Sequence, residues 1–300
     1  MTPDHDAATV DDTAAATTVV KIGGARAVDP EGALADVADL DGAGEDVVLV
    51  HGGSTKVDET LERMGIEPEY VETPGGVVGR FTDAGTMEAF TMAMSAIRTD
   101  LVAALQGQGV DAVGLSGVDG KLLHGPRKSA VRVLEDGKRK IRRGDHSGTI
   151  KEVNADLLNT LLDGGHVPVA GPPMAGADDG AITPVNTDAD RSAAAIAAAL
   201  GARLVLLTDV AGVYEDPDDP ATLIERVETP GGMEALESAA EGFMGRKIMA
   251  ATEALEGGAT EVIVADANAD APVSAAIEGG GTHVLPGAIA DEAELTEETT

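Results

Sequence analysis

The stretch that decides the fold is Val19-Val20-Lys21-Ile22-Gly23-Gly24. A short apolar run rich in β-branched residues reads as a buried strand. Lys21 stands at its end and two glycines follow at once. Without a Cβ, such glycines let backbone N–H groups approach an anion closely. The neighbouring lysine supplies a compact cation suited to phosphate. The design recurs at Val47-Val48-Leu49-Val50-His51-Gly52-Gly53-Ser54. Two strand ends closed by glycine pairs predict one cleft at the carboxyl edge of a parallel sheet, where open α/β sheets bind ligands. Taken singly, each also reads as an ordinary tight turn between strand and helix.

Outward from these turns, strands and helices alternate. Helices are expected over 30–40, from Ser54 as N-cap to about Met64, and over 153–163, 188–200, 233–240, 245–256 and 273–278. Thr82 or Asp83 caps a long helix whose stripe is Met87, Phe90, Met94, Ile97, Leu101 and Leu105, a core face by its spacing. Strands are expected at 47–50, 112–115, 167–170, 203–208, 261–265 and 282–285. Residues 121–143 break the rhythm. Val131 and Val133 alternate with Arg132, and Asp136-Gly137 supplies a turn, so a β-hairpin is expected there. The fold class is α/β, a three-layer αβα sandwich with a mainly parallel central sheet, two lobes and that hairpin. Residues 1–17 and 288–300 are polar and acidic, and are expected to be loosely held.

The chain has 300 residues, 53 acidic against 21 basic, and a net charge of -32. Such a surface repels nucleic acid and anionic membranes. The five aromatic residues provide no base-stacking platform. Cysteine is absent, which removes disulfides and thiol nucleophiles. No apolar run approaches the ~20 residues of a membrane span, and the amino terminus lacks the basic start of a signal peptide. A salt-rich cytoplasm is the expected setting. Nine of the basic residues fall between Lys121 and Arg143, facing only Glu135 and Asp136. Lys121, Arg127, Lys128, Arg132, Lys138, Arg139, Lys140, Arg142 and Arg143 thus form a segment of net charge +7, which suits an acidic macromolecular partner.

The polar residues that remain sit at strand ends and helix starts. Asn186-Thr187-Asp188-Ala189-Asp190 opens an alanine-rich helix, and capping accounts for only one of its Asn and two Asp side chains. Thr208-Asp209 ends another buried strand. Lys247 is expected at a helix N-terminus, where it opposes the dipole and hints at an anionic ligand. Arg80 follows a glycine-rich loop and suits a bidentate clamp on a carboxylate.

Together these residues resemble the amino-acid kinase family over about residues 18–287. The motifs are Lys21-Ile-Gly-Gly, His51-Gly-Gly-Ser, Arg80-Phe-Thr-Asp, Asn186-Thr-Asp-Ala-Asp, Leu207-Thr-Asp-Val-Ala-Gly-Val and Gly245-Arg-Lys-Ile-Met-Ala-Ala, in family order. The chain is similar to N-acetylglutamate kinases. Gly114–Gly120, Arg127-Lys128-Ser129 and Arg143–Thr149 resemble the branch that acts on glutamate or 2-aminoadipate held on a small acidic amino-group carrier of the LysW type. The resemblance implies a carboxylate kinase using ATP, with Mg²⁺ carried on the nucleotide and no protein metal site. Lys21 and Lys247 would flank the transferring phosphoryl group and Asp190 would orient them. Gly23, Gly24, Thr208, Asp209 and Tyr214 would serve the nucleotide, and Gly52, Gly53, Arg80 and Asn186 the acyl substrate. An amino-side lobe, 18–185, would hold the acyl group and a carboxyl-side lobe, 186–287, the ATP. Arg127, Lys128, Lys138, Arg139, Lys140, Arg142 and Arg143 would meet the carrier. The segment before the first strand does not resemble the extra helix of arginine-inhibited hexamers, so a homodimer is expected. Phosphorylation of free N-acetylglutamate, and nucleotide or amino-acid binding without catalysis, are the two alternatives.

Overall fold

The computed structural model describes residues 17–23, 30–76, 78–135, 137–240 and 242–290. Strand β1 (Thr18–Ile22) leads, after residues outside that set, to helix α1 (Pro30–Gly42), then β2 (Val47–His51) and α2 (Ser54–Met64). A small ribbon of β3 (Tyr70–Glu72) and β4 (Val78–Arg80) precedes the long helix α3 (Ala84–Gly107). Next come β5 (Ala112–Gly117), the hairpin of β6 (Leu123–Glu135) and β7 (Lys138–Gly148), β8 (Glu152–Val153) and α4 (Ala155–Asp163). A second hairpin joins β9 (Val167–Asp178) to β10 (Ala181–Val185) and leads into α5 (Ala189–Leu200) and β11 (Arg203–Thr208). The chain ends through β12 (Arg226–Val227), α6 (Pro230–Ala239), α7 (Gly242–Glu256), β13 (Glu261–Asp266), α8 (Pro272–Ile277) and β14 (Thr282–Val284).

The sheet order is β12-β14-β13-β11-β1-β2-β9-β6-β7, with β5 and β10 also on β9 and β8 on β6. β1 pairs in parallel with β2 and β11, and β2 with β9. Side chains alternate across the sheet, which divides the core in two. Val19, Val48, Val50, Leu204 and Leu206 pack on one face with residues of α4, α5, α6 and α7. Val20, Ile22, Val47, Leu49, Val205 and Leu207 pack on the other with residues of α1, α3 and α8. Both faces are covered, so the central strands are mostly apolar, with polar residues such as Lys21, His51 and Thr208 toward their carboxyl ends. Burying side chains such as Leu49 and Leu206 contributes about 1.5–3 kcal/mol each.

Several expectations need correction. Ser54 does not cap α2. Gly53 holds the cap position with no side-chain bond, which leaves the first N–H groups of that helix open. Asp83, rather than Thr82, caps α3 by accepting the Thr86 N–H. β9 continues far past Ala170 and pairs with β10. Its Gly-Pro-Pro sequence suggests an ending, but Pro172 and Pro173 fall where the ladder with β5 shifts register, so no N–H is demanded of them. The β3–β4 ribbon is too short to show as a pattern. Ala288 is buried and Ile289 packs on the core, so the loosely held tail does not begin at 288. Residues 1–16 and 291–300 lie outside the described residues.

Candidate active site

The registers bring the expected strand ends together. Lys21 lies opposite both Val50 of β2 and Leu206 of β11, and Ile22 opposite His51. The turns after Ile22, His51 and Thr208 therefore emerge side by side at the carboxyl edge. The Gly52 N–H donates to the Ile22 carbonyl oxygen at 3.2 Å, tying the first two turns directly. Gly24 lies outside the described residues. A Cβ added at Gly53 would press on the side-chain ends of Ile97 and Met94 of α3, which would have to shift to make room.

Asp190, in the first turn of α5, bridges two lysines. Its Oδ1 lies 2.6 Å from Lys21 Nζ, and its Oδ2 3.2 Å from Lys247 Nζ. Lys21 is 5% exposed and Lys247 9%. Buried cations are costly unless paired, and here one carboxylate serves two of them, leaving a net positive charge. Burial pushes the Asp190 carboxyl upward, but the Lys21 and Lys247 ammonium groups outweigh it and hold it below the usual carboxylate range. Burial lowers the Lys247 pKa, Lys21 lowers it further, and Asp190 only partly restores it. Lys247 is not at a helix N-terminus. α7 starts at Gly242, so the lysine is in the second turn and the dipole does not oppose it. Asp188 is the true cap of α5, accepting from the Asp190 and Arg191 N–H groups, which frees Asp190 for the lysines.

The other candidates are each held by partners of their own. Asn186 precedes α5 and donates from Nδ2 to the Thr82 hydroxyl at 3.0 Å. Arg80 is already engaged: Nη1 donates to Asp58, and Nη2 donates to the Ser54 carbonyl at 3.3 Å and to the Tyr70 hydroxyl at 3.0 Å. It thus stands at the open start of α2, braced rather than free. Thr208 donates its hydroxyl to Asp209 at 3.2 Å at the end of β11. Tyr214 sits in a bridge to Leu223. His51, buried at the end of β2, has its pKa lowered to about 4 by burial and by Arg98, and its neutral ring donates from Nδ1 to the Gly52 carbonyl.

The basic hairpin is not one free patch. Cross-strand pairing puts Arg132, Leu134, Arg139, Ile141 and Arg143 on one face, and Val133, Glu135, Lys138, Lys140 and Arg142 on the other. Arg142 turns to Glu69 and stacks over the Phe81 ring at 4.3 Å. Lys140 pairs with Glu135 at 2.7 Å, and Arg127 with Asp178 at 2.5 Å. The first face is open, with Ile141 67% and Leu134 37% exposed among the three arginines. Lys128, Lys138, Arg139 and Arg143 are exposed. Asp58, Glu69, Asp145 and Asp178 were not legible as site residues, since each partner lies distant in sequence. Among the described residues no cluster of three or more His, Cys, Asp or Glu side chains is placed to hold a metal ion. No described helix is long and apolar enough to cross a membrane.

A mainly parallel sheet thus carries, at its carboxyl edge, one carboxylate paired to two buried lysines. The chain matches the amino acid kinase family over residues 16–266, and it belongs to that family. It is an enzyme of the kinase class. It is 42% identical over 273 residues to the LysW-aminoadipate kinase of Thermus thermophilus, covering 89% of this chain and 99% of that protein. It is 43% identical over 270 residues to the acetylglutamate kinase of Methanopyrus kandleri, with the same two coverages of 89% and 99%. The solved N-acetylglutamate synthase of Neisseria gonorrhoeae, bound to coenzyme A and N-acetyl-glutamate, superposes with a TM-score of 0.71 at 26% identity. That alignment covers 90% of this chain but only 59% of the synthase.

Proposed function

We propose that the enzyme uses ATP to phosphorylate the side-chain carboxylate of glutamate or 2-aminoadipate held through its amino group on a small acidic carrier of the LysW type. The observation that carries the chemistry is the Lys21–Asp190–Lys247 bridge. In this reading a carboxylate oxygen of the substrate attacks the γ-phosphorus, the bond to the β–γ bridging oxygen breaks, and ADP leaves. No proton moves, because the nucleophile is already ionised, so no general base is needed. What the protein supplies is in-line placement and positive charge at the equatorial oxygens. Lys21 and Lys247 face that charge from two elements, with Asp190 fixing their spacing. Gly23, Gly24, Thr208, Asp209 and Tyr214 serve the nucleotide, which brings Mg²⁺ with it. Gly52, Gly53, Arg80 and Asn186 hold the acyl group. The amino-side half of the chain carries the acyl site and the carboxyl-side half the nucleotide site.

The carrier reading rests on the Thermus relative and on the open hairpin face. Arginines around exposed Ile141 and Leu134 offer charge and apolar contact to an acidic surface. In a salt-rich cytoplasm the Debye length is only ~3 Å at 1 M, so such a face acts by direct ion pairs. The Methanopyrus relative supports the second reading, a kinase of free N-acetylglutamate. One assay separates them: acyl phosphate trapped with hydroxylamine, in molar KCl with Mg-ATP. Turnover of carrier-linked glutamate or aminoadipate, with none of free N-acetylglutamate, is the expected result. Efficient turnover of the free compound establishes the second reading instead.

The hairpin gives its own test. Reversing Arg132, Arg139 and Arg143 to Glu is expected to raise KM for the carrier-linked substrate by about tenfold or more, through loss of close charge pairs, and to leave KM for ATP unchanged. Unaltered carrier kinetics would remove the docking role.

A further inference from the structure

The segment Arg143–Thr149 has no part in the chemistry above, yet it is bound into the acyl side of the site. Asp145, at the end of β7, is 1% exposed. A buried carboxylate is costly unless its oxygens are satisfied. Its Oδ1 accepts the Thr82 N–H at 3.1 Å, and Oδ2 accepts the Ser147 N–H at 3.2 Å and the Ser147 hydroxyl. Its main-chain carbonyl accepts from Arg127 Nη2 at 3.1 Å, and Arg127 is held in turn by Asp178. The adjacent backbone continues the lock. The His146 N–H donates to the Thr82 carbonyl at 2.7 Å, and the His146 carbonyl accepts the Asn186 N–H at 2.7 Å. Thr82 is therefore gripped at both backbone polar groups and is fully buried. Its hydroxyl donates to the Arg80 carbonyl at 3.4 Å and accepts Asn186 Nδ2. With one N–H bound to Thr82 the plane of the Asn186 amide is set, and the second N–H is left for a ligand.

We propose that Asp145 is a positioning residue for the acyl-substrate site, acting through Thr82 on the Asn186 carboxamide. The proposal rests on the reading that Asn186 contacts the acyl substrate. It also explains why Arg127 is turned inward: the guanidinium braces the Asp145 main chain and is not offered to a partner. β7, which carries Arg139 and Arg143 on the open face, ends in the wall of the acyl site.

The test is steady-state kinetics with whichever acyl substrate, carrier-linked or free, the wild-type enzyme turns over. Thr82→Val keeps the side-chain shape and the N–H bond to Asp145 but removes the acceptor for Asn186. It is expected to raise KM for the acyl substrate about tenfold with KM for Mg-ATP within about twofold, the scale of one misdirected hydrogen bond. Asp145→Asn, which sets an amide against the Ser147 donors, should do the same, and Thr82→Ser should restore wild-type values. Adding Thr82→Val to Asn186→Ala should cost nothing beyond Asn186→Ala alone. Unchanged acyl KM in Thr82→Val and Asp145→Asn overturns the proposal, as does an equal rise in both KM values or an additive double variant. If Asn186→Ala itself leaves the acyl KM unchanged, the substrate role of Asn186 fails, and the proposal fails with it.

Discussion

Lys21→Ala and Lys247→Ala are each expected to lower kcat by about 10²–10³, by analogy with removing one oxyanion donor. Each lysine is buried beside Asp190, and the two are on different elements, β1 and α7. Removing either leaves Asp190 paired with the other, so the fold should survive and circular dichroism should be unchanged. Under the proposed mechanism this removes one of two cations facing the transferring phosphoryl group, so the deficit should appear in kcat more than in KM for ATP. Near-wild-type turnover in either variant would remove that lysine from the chemistry. The intact enzyme should also lose activity at lower pH than an ordinary lysine, with its pKa near 10.4, would dictate, since burial and Lys21 depress the Lys247 pKa. A pH profile of kcat measures this directly.

Asp190→Asn is expected to be the most damaging single change to stability. It leaves two buried ammonium groups without their shared anion. Breaking a buried pair in this way costs about 3–5 kcal/mol, a fall in Tm on the order of 10 °C. The sign of its pH dependence follows from the lowered Asp190 pKa. The stabilisation is complete above the unfolded carboxylate value of about 3.9 and is lost as pH falls through the lower folded value. Thermal melts of wild type and Asp190→Asn should therefore differ most above about pH 4 and converge in stronger acid. In the variant the Lys247 ammonium loses the charge that raises its pKa, so any residual activity should fall off at still lower pH. An alkaline limb that stays in place would show that Lys247 is not the titrating group.

How much of this was legible beforehand differs by element. The buried strands at 18–22, 47–51, 203–208 and 261–266 were readable because a strand covered on both faces tolerates only apolar residues. α3 was readable because one stripe at helical spacing must face the core. β10 and the extension of β9 were not, since Pro172 and Pro173 look like a terminus unless one knows that they fall at a register shift. The helix that carries Lys247 begins three residues earlier than its sequence suggests, at Gly242 and not 245, so the lysine lies a turn inside it. The hairpin was readable, but its division into an open face and an inward face was not. That division depends on which residue opposes which, and on Glu69 and Asp178 arriving from elsewhere in the chain.

By itself the sequence determined the layered α/β architecture, the glycine-closed strand ends and the polar residues that follow them. These follow from local rules, namely burial on both strand faces, helical spacing and the freedom of glycine. Only the tertiary structure decided that one carboxylate spans two lysines 226 positions apart, that Arg80 is held by Asp58 and Arg127 braces Asp145, and that Asp145 reaches Asn186 through Thr82. Those pairings carry no periodicity and no fixed spacing. They exist because folding places distant side chains in a low-dielectric interior, where each buried charge must find a partner.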